Sequence, residues 1–149
     1  RIFETIGYAK VSTSAEEARR LGFLRESDRV SIDRERLVAD AKATALQAAK
    51  SYRAGTPRGD IRVLGEPGVA ALKLGVHLAR RGGYLSDYDA VVGEKLAHVL
   101  AGGRLTGGSL VSEQYLLDLE REAFLSLCGR RETQQRMQHM LKTGKPLRN

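Results

Sequence analysis

The apolar residues of this chain recur mostly every three or four positions, which is the spacing of amphipathic helices. The clearest example is expected to begin with Ser112 as its N-terminal cap and to end at Gly129. Within it, Leu116, Ala123 and Leu127 fall near one face of the helix. Alternating or continuous apolar stretches typical of strands are short. The pattern therefore predicts an all-α protein.

Two serines carry the signature of a helix N-terminus. Ser14 is followed three residues later by Glu17, the spacing of a capping box in which each side chain bonds the other residue's backbone N–H. Ser86 stands in the same relation to Asp89. Gly22 is placed like a left-handed C-terminal cap, so the helix that begins after Ser14 should end there.

A longer helix is expected after Asp33, because an aspartate side chain can cap the first turn. Its apolar stripe would contain Leu37, Ala41 and Ala45. The helix would end near Gly55.

The stretch from 58 to 67 contains Gly and Pro and one short apolar run, I-R-V-L, which predicts a connector with a strand-like segment. Helical patterns resume at Val69, and the later L-T-G-G-S stretch should only turn the chain, because it lacks the pattern of a phosphate loop. We divide what is expected to be one compact unit into three segments: 1–57, 58–110 and 111–149.

The composition points to a helical core of small and aliphatic residues. Hydrophobic residues make up 42% of the chain but aromatic residues only 5%, so the core is expected to contain Leu, Ala and Val. No apolar run approaches the roughly 18 residues that a membrane-spanning helix needs, and no secretory signal is recognisable. We therefore expect a cytoplasmic protein without a membrane span.

The net charge of +7 is compatible with a ligand that carries phosphate groups. Nucleic acid is not the expected partner, because the arginines occur as isolated pairs and no basic stripe carries aromatic residues for base stacking. A phosphorylated cofactor, such as a nucleotide or coenzyme A, also suits a basic surface.

No set of residues with catalytic spacing stands out. His77, His98 and His139 are far apart and lack a metal-binding motif, so no metal site is expected. Cys128 is the only cysteine and has no neighbour that would activate it as a nucleophile. Glu120 and Glu122 are two positions apart and point in different directions on a helix, so they are not expected to form a catalytic carboxylate pair. We therefore assign no catalytic residue to this chain.

Two stretches resemble the crotonase (enoyl-CoA hydratase) superfamily. The stretch V-S-T-S-A-E-E-A-R-R-L-G-F-L is similar to the family's I-S-A-x-E/D-A-x-x-x-G-L-V element. Glu120 and Phe124, followed by T-Q-Q-R-M-Q-H-M-L-K-T-G-K-P-L, resemble the family's closing helices. The whole pattern looks most like the C-terminus of bacterial fusions of a 3-hydroxyacyl-CoA dehydrogenase with an enoyl-CoA hydratase-like domain. The segment between about 58 and 110 looks like a helical insertion.

The resemblance implies a part in fatty-acid β-oxidation. The parent enzyme would use NAD and an acyl-CoA thioester, with its oxyanion hole, acid–base residues and dinucleotide-binding turn lying upstream of Arg1. The present chain would be the helical cap of a crotonase-like domain, serving to pack it and to cover the CoA site, and would be inactive alone. A homo-oligomer is expected, with a thiolase considered as a partner. The alternative is a stand-alone helical protein-interaction module.

The basic tail (residues 142–149) is the one candidate site. A last helix through Met137 should run into it, and Met140 occupies a position where the family often has the Phe of a terminal F-x-x-K-R-x-P motif. The resemblance also covers the terminal lysine and proline, while Thr-Gly replaces the usual Lys-Arg pair. Lys142, Lys145 and Arg148 are the expected contacts of the CoA phosphates, as charged donors.

Overall fold

The computed structural model describes all residues from Arg1 to Asn149. Seven helices contain 58% of the residues, and the strands form one small two-stranded sheet, so the predicted all-α class is confirmed. The elements in chain order are α1 (Ile2–Gly7), α2 (Ala15–Leu21), α3 (Leu37–Ala49), β1 (Ile61–Arg62), α4 (Gly65–Arg81), α5 (Asp87–Leu100), β2 (Leu110–Val111), α6 (Glu113–Cys128) and α7 (Arg131–Thr143). None of these helices combines the length and the apolar character that crossing a bilayer requires.

The chain divides into two compact units, Arg1–Thr56 and Pro57–Asn149. The first is called unit 1 and the second unit 2. The division falls beside the connector predicted from 58 onward, and the finer split into three segments stays a prediction.

In unit 1, α2 begins and ends as predicted. The Ser14 hydroxyl accepts a hydrogen bond from the Glu17 N–H at 3.1 Å. The Glu17 carboxylate, however, bonds the backbone N–H and the hydroxyl of Thr13 instead of Ser14, at 2.8 and 2.6 Å. These bonds from Thr13 lower the pKa of Glu17. Gly22 closes the helix with φ of +87°, in the left-handed region that glycine adopts without a Cβ clash.

The predicted cap at Asp33 is wrong. The Asp33 carboxylate accepts from the Glu35 N–H at 2.9 Å, which forms a local turn, and α3 begins only at Leu37. Aspartate stabilises such turns as well as helix caps, so its presence did not fix the start of the helix. The helix also ends at Ala49, before the predicted end near Gly55.

Unit 1 buries very little. No residue of α3 is buried, so the stripe of Leu37, Ala41 and Ala45 faces outward, contrary to expectation. Thr5 and Ala18 are the buried residues of this unit. Thr5 belongs to α1, a six-residue helix too short to show a periodic pattern in the sequence.

Unit 2 has a continuous core built by α4, α5, α6 and the small sheet. Its buried side chains are small, mostly Ala and Val, which agrees with the composition. Leucine, which was also expected in the core, is absent from it. The buried hydrophobic residues are Val63, Val69, Val76, Tyr88, Ala90, Ala97, Ala101, Val111 and Ala123.

The start of α4 lies earlier than predicted, at Gly65 instead of about Val69. Pro67 is the third residue of the helix, and proline is tolerated in the first turn because that N–H has no intrahelical partner. The strand-like segment predicted in the connector is observed as β1, antiparallel to β2 with Ile61 opposite Val111.

Two glycines let the loop after α5 pack closely against Val63 and the start of α4. Gly102 has φ of +81°, and a Cβ there would lie 2.5 Å from the Cβ of Val63. At Gly65, with φ of +64°, a Cβ would lie 2.1 Å from the carbonyl oxygen of Leu105. Only glycine allows this approach, so these two residues join the loop to the start of α4.

Caps fix the ends of α5 and α6 as predicted. Ser86 and Asp89 form a reciprocal capping box, with N···O distances of 3.0 and 3.2 Å. The Ser112 hydroxyl accepts from the Tyr115 N–H at 3.1 Å, and Gly129 caps the other end of α6. The position of Asp89 is therefore fixed by hydrogen bonds within its own helix, independently of its contacts with other helices.

Candidate functional site

The three cations of the basic tail are all exposed. Lys142 lies in the last turn of α7, while Lys145 and Arg148 follow the helix. Their side chains take part in none of the hydrogen bonds or ion pairs of the structure. They are therefore available to an anionic ligand.

The chain turns sharply between the helix and the rest of the tail. Gly144 adopts φ of +67°, and its N–H donates to the Met140 carbonyl at 2.8 Å. The Thr143 hydroxyl donates to the His139 carbonyl at 2.9 Å and accepts from the Lys145 N–H at 3.2 Å. Both bonds hold the turn at the end of α7, so Lys145 starts from a defined position.

Asn149 brings the tail back to the middle of α7. Its side-chain oxygen accepts from Nε of Arg136 at 2.7 Å, and its backbone oxygen accepts from Nη2 of Arg136 at 3.3 Å. Its side-chain nitrogen donates to the Glu132 carbonyl at 3.2 Å and to Oε1 of Gln135 at 3.1 Å. The tail therefore runs back along α7 towards the start of that helix.

Arg136 also reaches across to α5. Its Nη2 lies 2.8 Å from Oδ1 of Asp89, and its guanidinium carbon lies 4.9 Å from the centre of the Tyr88 ring. The Arg136 and Asp89 side chains are only 24% and 23% exposed, and Tyr88 is buried. The Tyr88 hydroxyl is hydrogen-bonded to that of Thr133 on α7. These contacts tie α7 to the core of unit 2.

The charge of Asp89 is stabilised in this cluster. Partial burial of the carboxylate opposes its ionisation, but hydrogen bonds from Arg136 and Ser86, together with the positive charge of Arg136, outweigh it. The net effect lowers the pKa of Asp89. The carboxylate thus remains an anion, and a partner of Arg136, throughout the neutral range.

A second feature is an open groove of about 340 Å³ on α6, lined by Leu117, Glu120, Arg121 and Phe124. Glu120 and Phe124 are among the residues that carry the resemblance of the closing helices, and both line this groove. No group of three or more His, Cys, Asp or Glu residues lies close enough to hold a metal ion.

Sequence reasoning missed Arg136, Tyr88 and Asn149 and recognised Asp89 only as a cap. Arg136 lies among other polar residues of α7, and its partners are tens of residues earlier or at the end of the chain. No local spacing connects them. The sequence contains one weak signal. Glu132 is the only acidic residue three or four positions from Arg136, so the charge of Arg136 has no second local partner.

Comparison with known proteins gives one informative match. The chain is 47% identical over all its 149 residues to the "Probable 3-hydroxyacyl-CoA dehydrogenase" of Bacillus subtilis (strain 168). It spans 19% of the length of that relative. No family model matches the chain, and no solved structure matches it. The similarity thus extends along both units but to a limited part of the relative.

Proposed function

We propose that this chain is the helical cap of a crotonase-like domain in a β-oxidation enzyme that acts on acyl-CoA thioesters. The observation that carries the proposal is the 47% identity over all 149 residues with the probable 3-hydroxyacyl-CoA dehydrogenase of Bacillus subtilis. The parent would oxidise a 3-hydroxyacyl-CoA with NAD. This chain would pack the domain and cover the CoA, and would not supply the reacting groups.

The tail gives the cap a direct role in binding. Lys142, Lys145 and Arg148 are exposed cations without ionic partners, as a phosphate-binding surface requires. Lys142 also complements the negative end of the α7 dipole, but that effect is confined to the last turn of a helix. It does not account for Lys145 and Arg148, which lie beyond the helix.

The division of labour is tested with the isolated 149-residue chain and the full-length gene product. The isolated chain should neither hydrate crotonyl-CoA nor form NADH from a 3-hydroxyacyl-CoA, whereas the full-length protein should form NADH. Losing oxyanion stabilisation alone costs a factor of about a hundred to a thousand in kcat. Turnover by the isolated chain that survives removal of trace host enzymes would refute the cap assignment.

The tail is tested with Lys145→Ala in the full-length enzyme. The KM for acyl-CoA should rise about threefold at low salt while kcat stays unchanged, because the phosphates are bound equally in the ground and transition states. The effect should weaken as salt rises. Arg131→Ala, an exposed cation at the other end of α7, is the matched control. An unchanged KM in both Lys145→Ala and the triple alanine variant of the tail would remove the CoA assignment.

The second candidate is a stand-alone protein-interaction module. It is favoured by large apolar side chains that the structure leaves exposed, such as Ile32 at 99% and Leu141 at 87%. A cap would bury such residues against its parent, whereas an interaction module would bury them against another protein. A gene product that contains no dinucleotide-binding turn and no oxyanion loop would favour the module, and one that contains both favours the cap.

The proposal also includes a homo-oligomeric parent with a thiolase as partner. Light scattering on the full-length protein, alone and mixed with the thiolase, tests both associations.

A further inference from the structure

The basic tail is fixed at two places, and Lys145 and Arg148 lie between them. The first place is the turn at Gly144, where the chain leaves α7. The second is Asn149, which bonds three residues in the first half of that helix. From Arg136 to the end of α7 the helix rises about 10 Å, a distance that the five residues after Gly144 can span. Lys145 and Arg148 are thus carried on a short closed loop.

The second anchor is itself held by the core. The guanidinium of Arg136 uses Nη2 towards Asp89 and Nε towards the side chain of Asn149. Asp89 is fixed by the capping box of α5, and Tyr88 beneath the guanidinium is only 5% exposed. A planar fork can meet both partners at once, which the single ammonium group of lysine cannot do in the same geometry.

We infer that Arg136 and Asn149 form a tail clip, a pair of positioning residues that hold Lys145 and Arg148 in place for the phosphates of the CoA substrate. This inference rests on the proposed function for its ligand, but the clip is a property of the chain alone. A tail that is ordered before binding loses less conformational entropy when the phosphates arrive, so the same cations bind more tightly.

The clip is tested first without any ligand, by ¹⁵N relaxation on the full 149-residue chain. The order parameters of the Leu147 and Arg148 amides should match those of α7, and in Asn149→Ala they should fall below about 0.6, the range of flexible backbone. Arg136→Lys should give the same loosening while keeping a cation beside Asp89. Gln138→Ala, an exposed residue of α7 that makes no side-chain hydrogen bond, should leave the tail ordered. A tail that is already flexible, or is unchanged in Asn149→Ala, would refute the clip.

The second test uses steady-state kinetics of the full-length enzyme. Asn149→Ala should raise the KM for acyl-CoA about threefold with kcat unchanged, and should have no further effect once Lys145 and Arg148 are both alanine. If Lys145→Ala raises the KM but Asn149→Ala loosens the tail without raising it, the positioning role is wrong. If the tail loosens while neither variant changes the KM, the clip stands as a structural feature and the CoA assignment fails.

Discussion

Unit 1 and unit 2 both contain several helices, but different kinds of contact stabilise each unit. Unit 1 buries only Thr5 and Ala18, and its helices are defined by local hydrogen bonds such as those of Ser14 and Gly22. Unit 2 buries side chains from α4, α5, α6 and β2, together with Val63 just after β1, and its loop after α5 packs through Gly102. The amphipathic pattern therefore predicted helices correctly in both units, but a continuous core is formed only in unit 2.

An apolar stripe shows which residues a helix can bury, but it does not show that they are buried within the same chain. Val38 on α3 is 78% exposed, whereas Val76 on α4 is 3% exposed. Under the proposed function, the exposed stripe of α3 is covered by the rest of the parent enzyme.

The largest effect is expected from glycines in the two units. Gly102→Ala should lower the free energy of unfolding by about 3 kcal/mol, because it combines left-handed backbone strain with overpacking against Val63. Gly22→Ala in unit 1 should cost only about 1 kcal/mol, since φ is equally positive but nothing lies within 4 Å of the added Cβ. Urea unfolding followed by circular dichroism measures both. Equal costs would mean that the close approach at Gly102 adds nothing.

A matched pair of valines comes next. Val76→Ala should destabilise the chain by about 2 kcal/mol through lost burial and the cavity left behind. Val38→Ala should stay within about 0.5 kcal/mol of the unmodified chain, as exposed substitutions do. In the full-length enzyme the cost of Val38→Ala should increase. Comparable losses for both variants in the isolated chain would contradict the contrast between the units.

The ion pair of unit 2 should make stability depend on pH. Because the pKa of Asp89 is lowered on folding, its contribution is complete above its ordinary value of 3.8 and is lost as the pH falls through the lower folded value. Asp89→Asn should cost about 1 kcal/mol at pH 7, and the difference from the unmodified chain should shrink in acid. Glu17→Gln is the counterpart in exposed unit 1 and should show a weaker pH dependence. Thermal unfolding across the acid range measures these stabilities. A difference between Asp89→Asn and the unmodified chain that does not shrink as the pH falls would contradict this assignment.

The smallest effect concerns a single cap in unit 1. Ser14→Ala removes the acceptor of the Glu17 N–H and should cost about 0.5–1 kcal/mol, with a small loss of helicity. Ser51→Ala, an exposed serine without a side-chain hydrogen bond, is the control. No loss of helicity relative to this control would show that other contacts determine the start of α2.

Local signals in the sequence predicted the ends of helices well. The caps at Ser14, Ser86 and Ser112 were confirmed because each is an interaction between residues three apart. Asp33 failed by the same logic, since its side chain can serve a turn as readily as a cap.

The tertiary contacts could not be predicted in this way. The approach of Gly102 to Val63 depends on how the end of β1 and the loop after α5 meet. Arg136 and Asp89 are far apart in the sequence, so their pairing follows from the packing of α7 and not from any motif. The tail cations were selected by resemblance, and their role stays a prediction.

Ile61 and Val111 are direct partners across β1 and β2, so the chain leaves and re-enters this point within about 5 Å. The backbone N–H of Glu113 also donates to the carbonyl of Arg58, just outside the pair. The segment that contains α4 and α5, the α4–α5 hairpin, therefore begins and ends at adjacent points of the chain. Insertion of a whole segment is tolerated in such an arrangement. A gene that lacked the hairpin would need only one or two residues to rejoin the chain, so connectivity sets no barrier to its exchange. The barrier is the packing of α5 on α6 and the contacts of Tyr88 and Asp89 with α7.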